Sequence, residues 1–383
     1  MIQIPRSLAR KLVAVLRKSV WAASRRKNMP PVLFQVGPAG LSVSTQYEDL
    51  AVRTTQRGRQ RSESLVVPGQ ALQTFAAKGN GPVSLERLRE DRGIARWEEG
   101  RRLHEQEFSS IDPAMLPPFP ELPETFQSLG ANFLGALDDA TGCVALEPGR
   151  PSLTFLQLRG TGIIVSTDGK QLLWQTGYSF PWEDDLLVPS TRVFGCKVLQ
   201  GKPASLGRTA THVVVRAGDW TIALAINPGA KFPDVEVILK NLSTDGTGWV
   251  VPRDEVAFLL SELPRMPLET DSPALTLDLG SEVRLRSRDV DRKQGRELVL
   301  LRSKVTGPAL QVNSNPRFLL RVLKLGFHTF DFAPGKPAHS QEEGRHYVWM
   351  PLDSPPLPPN DEDERIYSKR PRGSVSRRGN SSR

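Results

Sequence analysis

The chain has few cysteines and histidines and no long apolar run. Its two cysteines, Cys143 and Cys196, lack partners at metal-ligand spacing and are too few for a disulfide framework, which indicates a reducing interior. No apolar stretch approaches the roughly 20 residues that cross a bilayer, so no membrane partner is predicted. The five histidines stand far apart, at His104, His212, His328, His339 and His346. None has a neighbour at zinc-ligand spacing, so no metal site is expected.

The motifs that mark common enzyme classes are also missing. There is no phosphate-binding glycine loop of the P-loop or dinucleotide type, and there is no Gly-x-Ser-x-Gly nucleophile turn. The adjacent carboxylates Asp138-Asp139 and Glu183-Asp184-Asp185 are more typical of a solvated loop or a helix cap than of a metal site. The sequence therefore predicts a protein without a catalytic site and without a cofactor.

Acidic residues are absent from the first thirty positions, and this absence locates the positive charge. The net charge of the chain is +9. Eight basic residues lie in that stretch, namely Arg6, Arg10, Lys11, Arg17, Lys18, Arg25, Arg26 and Lys27. Such an asymmetry indicates a polyanionic partner, either nucleic acid or anionic lipid.

The same N-terminal stretch has the apolar periodicity of a helix. Leu8, Leu12, Val15 and Leu16 fall on one face, and most of the basic residues fall off it. From this segment alone the helix could be a targeting presequence, a membrane-surface helix, or a merely solvated one. It could equally be the first helix of a folded domain, with its basic side against DNA.

Evenly spaced prolines indicate an internal repeat. Helical segments are predicted near Ser7 (after Pro5) and at five later prolines, because proline is favourable at the first position of a helix. The starts after Pro5 are Pro68, Pro123, Pro189, Pro252 and Pro316. Intervals of 63, 55, 66, 63 and 64 positions separate the six prolines, which suggests one unit repeated six times.

Strand-like runs lie between these helices. Residues 41–44 and 275–279 alternate between apolar and polar side chains, and residues 212–216 and 221–226 are split by a Gly218-Asp219 turn. The unit is therefore one helix with three or four antiparallel strands, which places the chain in the α+β class. Because about 60 residues are too few for a good core, we expect paired units and three domains. The predicted boundaries are 1–122, 123–247 and 248–352.

Residues 353–383 differ from the rest in composition. The stretch is Pro-rich from Asp353 to Pro359, acidic from Asp361 to Glu364, and basic and Ser/Gly-rich from Lys369. It has little apolar surface to offset the entropy of ordering, so it is predicted to be a disordered tail. A transient contact of this tail with DNA or a partner protein stays open.

Several stretches resemble a known family. Residues 165–172, with Thr167-Asp168-Gly169, resemble its Thr-Asp-Gly-x-x-Leu segment. The Phe232-Pro233-Asp234 turn resembles the turn that closes its second domain, and residues 347–352 resemble its terminal Tyr-x-x-Met-Pro-Met strand. The family is the bacterial sliding clamp, the beta subunit of DNA polymerase III, and the resemblance covers about 340 residues in the family's order.

The resemblance implies a DNA clamp fold in which two chains close head to tail around duplex DNA. It implies a processivity factor that tethers the replicative polymerase and is cytoplasmic and nucleoid-associated. Basic helix faces would attract phosphates without reading bases. The implied DNA-binding residues are Lys11, Lys18, Arg25, Arg26, Lys27, Arg192, Lys197, Arg253, Arg317, Arg321 and Lys324.

The family also has an apolar pocket for short linear motifs of polymerases and the clamp loader. The matching positions are Leu153, Thr167, Gly169, Lys170, Gln171, Leu172, Val348, Met350, Pro351 and Leu352. The sequence departs from the family at several of its motifs. Lys170-Gln171 replaces a basic-aromatic pair, Lys240 replaces a proline, and Trp349 replaces a small apolar residue. These departures indicate a divergent clamp or a clamp-like paralogue.

Two other functions remain open from the sequence. The chain could be a clamp-fold protein-interaction module that does not encircle DNA, in which case an edge around residues 103–108 would not pair with a third-domain edge strand. It could also be an imported or membrane-associated protein led by its basic N-terminus.

Overall fold

The computed structural model describes residues 1–24, 29–58, 61–77, 79–146, 150–243, 245–269, 273–289, 291 and 294–369. The chain forms two compact units. Unit 1 consists of Met1–Asp168 and Gln175–Phe232, and unit 2 consists of Gly169–Trp174 and the chain from Pro233 onward.

Most of the regular structure is β-strand. The strands are β1 (Ile2–Pro5), β2 (Val32–Gly37), β3 (Gly40–Tyr47), β4 (Leu50–Gln56), β5 (Glu63–Val67), β6 (Pro82–Arg89), β7 (Arg92–Glu99), β8 (Arg102–Ser109), β9 (Gln127–Leu129), β10 (Phe155–Arg159), β11 (Ile163–Thr167), β12 (Gln171–Gln175), β13 (Leu186–Pro189), β14 (Ala204–Arg208), β15 (His212–Ala217), β16 (Trp220–Ala225), β17 (Thr247–Val250), β18 (Leu275–Leu279), β19 (Val283–Asp289), β20 (Gln294–Leu300), β21 (Lys304–Thr306), β22 (Leu310–Ser314), β23 (Thr329–Phe332), β24 (Ala338–Glu342), β25 (Arg345–Trp349) and β26 (Glu364–Tyr367).

The helices are short. They are α1 (Arg6–Lys18), α2 (Val20–Ala23), α3 (Gly69–Phe75), α4 (Phe133–Thr141), α5 (Glu236–Lys240), α6 (Arg253–Glu262) and α7 (Pro316–Lys324). Single 3-10 turns span Pro113–Met115, Pro151–Thr154, Arg192–Gly195 and Leu263–Arg265.

In unit 1, α1 is part of the hydrophobic core. Its apolar stripe of Leu8, Leu12, Val15 and Leu16 is buried, as the periodicity predicts. The preceding strand β1 pairs antiparallel with β6, which ties the N-terminal segment into a sheet. Because the apolar face packs inside the protein, the structure favours the first helix of a folded domain over the other interpretations of this segment.

Two complete sheets belong to unit 1. The smaller has the order β1-β6-β7-β8, and the larger has the order β5-β2-β3-β4-β16-β15-β14-β9. Strands β10, β11 and β13 also lie in this unit, with β10 between β13 and β11. The predicted hairpin is confirmed, since β15 and β16 pair around Gly218, whose φ of 59° is in the left-handed region.

In unit 2, β12 is followed across one sheet by β25, β24, β23, β17 and β21. A second sheet has the order β22-β18-β19-β20-β26. One face of this second sheet is apolar, with Leu277, Leu285 and Leu298 buried, and α6 packs against α7 in the same unit. Within the described residues the architecture is a mixed α+β fold of antiparallel sheets with few helices, as the sequence predicts.

Four of the six predicted helix starts are confirmed, at Pro5, Pro68, Pro252 and Pro316. The prediction at Pro123 is wrong. Strand β9 follows this proline, and the helix α4 begins only at Phe133. The prediction at Pro189 is also wrong. Pro189 is followed only by the 3-10 turn Arg192–Gly195. Gly195 lies so close to Asp138 of α4 that any larger side chain at this position would collide with it.

The prediction of a disordered tail is wrong for residues 353–369, while residues 370–383 lie outside the described part. Strand β26 pairs in parallel with β20, and Asp363 and Ser368 are buried. The composition argument fails because polar rather than apolar contacts hold this segment. Asn313, for example, donates through Nδ2 to the carbonyls of Ser354 and Pro355, at 3.0 and 2.9 Å.

Candidate functional site

Helix α1 presents a basic face opposite its buried stripe. Lys11, Arg17 and Lys18 are exposed on it, and α1 contains no Asp or Glu. The ammonium of Lys18 donates to the carbonyl of Gly195 at 2.7 Å. Since cations in the last turn of a helix also complement its dipole, Arg17 and Lys18 are electrostatically favourable where they stand.

Two of the N-terminal cations are less accessible than those on this face, because Arg6 is buried and Arg10 is half-buried. The Arg6 side chain is fully buried, and its Nε donates to the carbonyl of Phe75 at 3.3 Å. Arg10 donates to the carbonyl of Gly79 at 2.6 Å. The basic count of the first thirty residues therefore overstates the positive charge offered to a partner. Arg25, Arg26 and Lys27 lie outside the described residues.

The 3-10 turn Arg192–Gly195 lies against the end of α1. Thr191 donates through its hydroxyl to the carbonyl of Lys18 at 3.3 Å, and Arg192 and Lys197 are both exposed. The structure thus brings the segment that carries Arg192 next to Lys18, although no full helix forms there.

Helix α7 is the basic helix of unit 2. Phe318, Leu319, Val322 and Leu323 are buried, and the sequence of α7 has no acidic residue. Arg317 and Lys324 are exposed and Arg321 is half-buried. The helix begins at a capped end, because Asn315 Oδ1 accepts from the backbone N–H of Arg317 at 3.0 Å.

Other helices carry less positive charge than the sequence analysis assumed. Arg253 of α6 is exposed, but it is followed by Asp254, which is ion-paired with Arg302. Helix α4 carries Asp138 and Asp139 and no cation, and α3 carries no charge. Positive charge is therefore concentrated on α1 in unit 1 and on α7 in unit 2.

Part of the predicted partner pocket is assembled within unit 2. The N–H of Met350 donates to the carbonyl of Lys170 at 2.9 Å, and the Tyr347 hydroxyl donates to Gln171 Oε1 at 2.6 Å. Gly169 has a φ of 87°, so the turn before β12 uses a conformation that favours glycine. These contacts hold residues 169–172 against the end of β25.

Three of the predicted pocket residues, Met350, Pro351 and Leu352, border a cavity of about 470 Å³. Met350 is 47% exposed, whereas Leu172 and Val348 are buried. The cavity is lined by Leu310, Gln311, Val312, Asn313, Ala333, Pro334, Gly335, Lys336, Met350, Pro351, Leu352, Asp353, Ser354 and Pro356. Sequence reasoning missed residues 333–336, because a Pro-Gly turn predicts a loop but does not indicate what the loop faces.

The remaining two predicted pocket residues, Leu153 and Thr167, belong to unit 1. Leu153 lies in the 3-10 turn Pro151–Thr154, and Thr167 ends β11. Both side chains are buried, at 5% exposure each.

The described residues contain no group of three His, Cys, Asp or Glu side chains placed to share a metal ion. Both cysteines are buried thiols. Over the same part of the chain, no helix is long and apolar enough to cross a membrane.

Comparisons with known proteins bear on the fold. No family model matches the sequence, and no curated protein matches it either. Solved structures do match. The DnaN sliding clamp (DNA polymerase III subunit beta) of Pseudomonas aeruginosa, bound to griselimycin, superposes with a TM-score of 0.73 at 18% identity and covers 92% of this chain and 99% of that one. The fold is therefore that of a sliding clamp.

Two further structures agree with this clamp fold. DNA polymerase III subunit beta of Borrelia burgdorferi, in complex with a natural product, has a TM-score of 0.76 at 11% identity and covers 92% of this chain and 98% of that one. A putative DNA polymerase III beta subunit of Eubacterium rectale has a TM-score of 0.73 at 12% identity, over 92% of this chain and 99% of that one. At these identities the likeness shows the fold alone.

Two departures from the clamp motifs have structural explanations. Gln171 is buried and accepts the hydrogen bond from Tyr347, so a polar side chain is satisfied there. Trp349 is 1% exposed, and its Nε1 donates to Ser314 Oγ at 3.0 Å. Its ring packs edge-on against Phe330 and Phe332, so it fills the core of unit 2.

Proposed function

We propose that this chain is a DNA polymerase processivity factor, a sliding clamp that encircles duplex DNA and has no catalytic site. The observation that carries this proposal is the presence, within a clamp fold, of an acid-free amphipathic helix in each unit. In α1 and in α7 the apolar stripe is buried, and the exposed cations are Lys11, Arg17 and Lys18 of α1 and Arg317 and Lys324 of α7. Such faces attract phosphates without reading sequence, as sliding requires.

The proposed assembly is a head-to-tail ring of two chains. Each chain would contribute three domains, at 1–122, 123–247 and 248–352. Closure would pair the open edge strand β8 of one copy with an edge strand of the third-domain sheet of the other. A closed ring holds DNA topologically, so individual contacts can be weak and movement along the duplex can be fast.

The proposed DNA-binding residues are Lys11, Lys18, Arg25, Arg26, Lys27, Arg192, Lys197, Arg253, Arg317, Arg321 and Lys324. Linear motifs of a polymerase and of a clamp loader would bind around Met350, Pro351 and Leu352. Met350 is exposed at the cavity there, and apolar pockets with a few polar groups are typical ligand sites. Such a protein would act in the cytoplasm, at the nucleoid.

Topological retention on DNA tests the ring without requiring a loader. The protein is threaded onto linear duplex that is tethered at one end, and the other end is then blocked with a bulky protein. A ring stays bound when the salt is raised to about 0.5 M and leaves when the DNA is cut. Binding by phosphate contacts alone is lost in that salt because it depends steeply on ionic strength. Loss from blocked DNA in high salt, by the unaltered chain and also by a chain that ends at Pro359 and so lacks β26, would refute encirclement.

Charge reversal tests the basic helix of unit 2. The double variant Arg321→Glu and Lys324→Glu is expected to weaken initial DNA binding and to reduce the slope of log affinity against log salt by about 2, roughly one per phosphate contact. The matched control is Lys240→Glu with Lys304→Glu, which changes two exposed cations of the same unit on α5 and β21. An equal change in both variants would argue against a role for α7 in DNA binding.

One observation favours a second candidate, a clamp-fold protein-interaction module that does not encircle DNA. The β20 edge of the five-stranded sheet is occupied by β26 of the same chain, so this edge is not open in the structure. A chain whose edge stays covered would remain a monomer and would leave blocked DNA in high salt. The retention experiment therefore separates the two candidates.

A further inference from the structure

The polar face of the five-stranded sheet is crossed by the segment that follows β25, here termed the C-terminal strap (residues 353–363). Asn313 of β22 holds the carbonyls of Ser354 and Pro355. Thr276 of β18 accepts from the N–H of Leu357 at 2.9 Å. Arg288 of β19 then pairs with Asp363 at 3.0 Å. The strap is therefore held by one polar side chain on each successive strand until it reaches β20.

Strand β26 continues from the strap along the edge of β20. Its register pairs Arg296 with Glu364 and Val299 with Tyr367. The guanidinium of Arg296 contacts the Glu364 carboxylate through Nε and Nη2, at 2.8 and 2.7 Å. The four residues of β26 thus cover the centre of a seven-residue strand.

A buried polar contact at Ser368 holds the C-terminal end of β26 in place. The backbone N–H of Ser368 donates to the carbonyl of Val299 at 2.9 Å. The Ser368 hydroxyl donates to Glu255 Oε1 of α6 at 2.5 Å and accepts from the N–H of Leu301 at 2.9 Å. Ser368 is 3% exposed and Glu255 is 1% exposed, so a second negative charge at position 368 would be strongly unfavourable.

Unit 1 offers the complementary feature, an edge strand without a cover. In the part of the chain that the structure describes, β8 pairs with β7 on one side only. It is eight residues long, twice the length of β26, and its Leu103 is 63% exposed. A long edge with unpaired backbone groups and an exposed apolar side chain is a template for strand addition.

We propose that the β26 segment (residues 364–368) is a built-in competitor for strand β8 of a second copy of this chain, so that ring closure requires its release from β20. This inference rests on the proposed function. The strap tethers the segment beside its own edge, which gives it a high effective concentration against an incoming strand. With this edge occupied, a chain of the clamp fold would oppose its own self-association until β26 is released.

Sedimentation velocity on the full-length chain tests the proposal with Ser368→Glu. This variant sets a carboxylate against Glu255 and is expected to tighten the homodimer by at least about tenfold, because the apparent affinity rises as the competent state becomes populated. Ser376→Glu is the control, since it adds the same charge to the same tail outside β26. A chain ending at Pro359 should behave as Ser368→Glu does, which guards against a local effect of that substitution.

Two further measurements identify the competing strand. Leu103→Lys in β8 changes an exposed residue and should reverse the gain of Ser368→Glu, since charge on an edge opposes pairing. Hydrogen exchange of the amides of residues 365–367 should be faster in the full-length dimer than in the monomer. Slower or unchanged exchange on dimerisation would overturn the proposal.

Other outcomes separate this inference from the proposed function. If Ser368→Glu and the unaltered chain dimerise equally well and Leu103→Lys weakens both, the ring stands and the competitor role is wrong. A weaker dimer for Ser368→Glu would also overturn the inference, because β26 would then contribute to the interface. If no variant dimerises at about 100 μM and none is retained on blocked DNA, the clamp function fails, and the competitor role fails with it.

Discussion

The four-stranded sheet of unit 1 and the five-stranded sheet of unit 2 each carry, on one face, an arginine that pairs with carboxylates on the two neighbouring strands. This row of three charges is termed a charge ladder. In the first, Arg96 lies between Glu86 and Glu105, at 2.7 and 2.6 Å. In the second, Arg286 lies between Asp278 and Glu297, at 2.6 and 3.4 Å. The Arg96 side chain is 36% exposed, whereas that of Arg286 is 2% exposed.

The difference between the two ladders comes from the segment above the second one. In unit 2 the strap crosses the face and β26 continues along the edge of β20, from which Arg365 reaches Glu297 at 3.4 Å. In unit 1 no described strand lies on the outer side of β8. Removing one partner of a cross-strand pair should therefore cost little in the first sheet and much in the second, because burial leaves the remaining charge without solvent.

The largest expected effect comes from breaking each ladder at one carboxylate. Glu297→Ala removes one of the two carboxylates that pair with the buried guanidinium of Arg286. The free energy of unfolding of unit 2 should fall by about 3 kcal/mol. The matched change Glu105→Ala removes a half-exposed carboxylate and should have no measurable effect. Urea titration of both variants checks this, and equal losses would show that the cover does not matter.

A smaller effect is expected from loosening the strap itself. Asn313→Ala removes three hydrogen-bond contacts to Ser354 and Pro355 and should destabilise the strap by about 2 kcal/mol, since the buried hydroxyl of Thr276 also loses its acceptor, Asn313 Oδ1. Hydrogen exchange at Leu357 and Ile366 measures the change directly. Gln106→Ala in β8 serves as the control and should leave exchange in its sheet unaltered. Retained protection in Asn313→Ala would mean that β26 holds without the strap.

The smallest expected effect is a pH dependence that leaves both ladders unchanged. Burial lowers the pKa of His339, and burial together with His339 lowers the pKa of His346. Protons therefore bind the unfolded state first, so the stability of unit 2 is full above about pH 7 and falls as the pH drops through about 6.5. Urea titrations at pH 7.5 and 6 measure this change in stability, and the double variant His339→Gln and His346→Gln should make it smaller. A rise in stability on acidification would contradict the assignment.

Much of the local structure could be predicted from the residues alone. The apolar stripe of α1, the proline-led starts of α6 and α7, and the hairpin around Gly218 follow from periodicity and turn chemistry, which act over a few neighbouring positions. The helix expected after Pro189 shows where this reasoning stops. Gly195 must approach Asp138 of α4 closely, and that contact joins positions 57 residues apart.

The accessibility of charge was predictable only in part. Lys11 and Arg17 are exposed, as the helical pattern implies. Arg6, by contrast, is buried and donates a hydrogen bond to the carbonyl of Phe75, 69 positions away. The pocket likewise combines predicted residues, such as Met350, with the turn at Pro334, whose place in the pocket no local pattern indicates. Composition also misjudged the strap, because it measures apolar content and not whether polar partners lie within reach.

The sequence by itself determined the mixture of short helices and antiparallel strands, the acid-free basic helices and the absence of familiar catalytic motifs. Only the tertiary structure decided which cations face outward, which edge strand is open and which is covered by β26. The physical reason is the distance along the chain over which each kind of interaction acts. Periodicity and turn preferences depend on neighbouring residues, whereas burial and edge pairing depend on groups that the chain brings together from far apart.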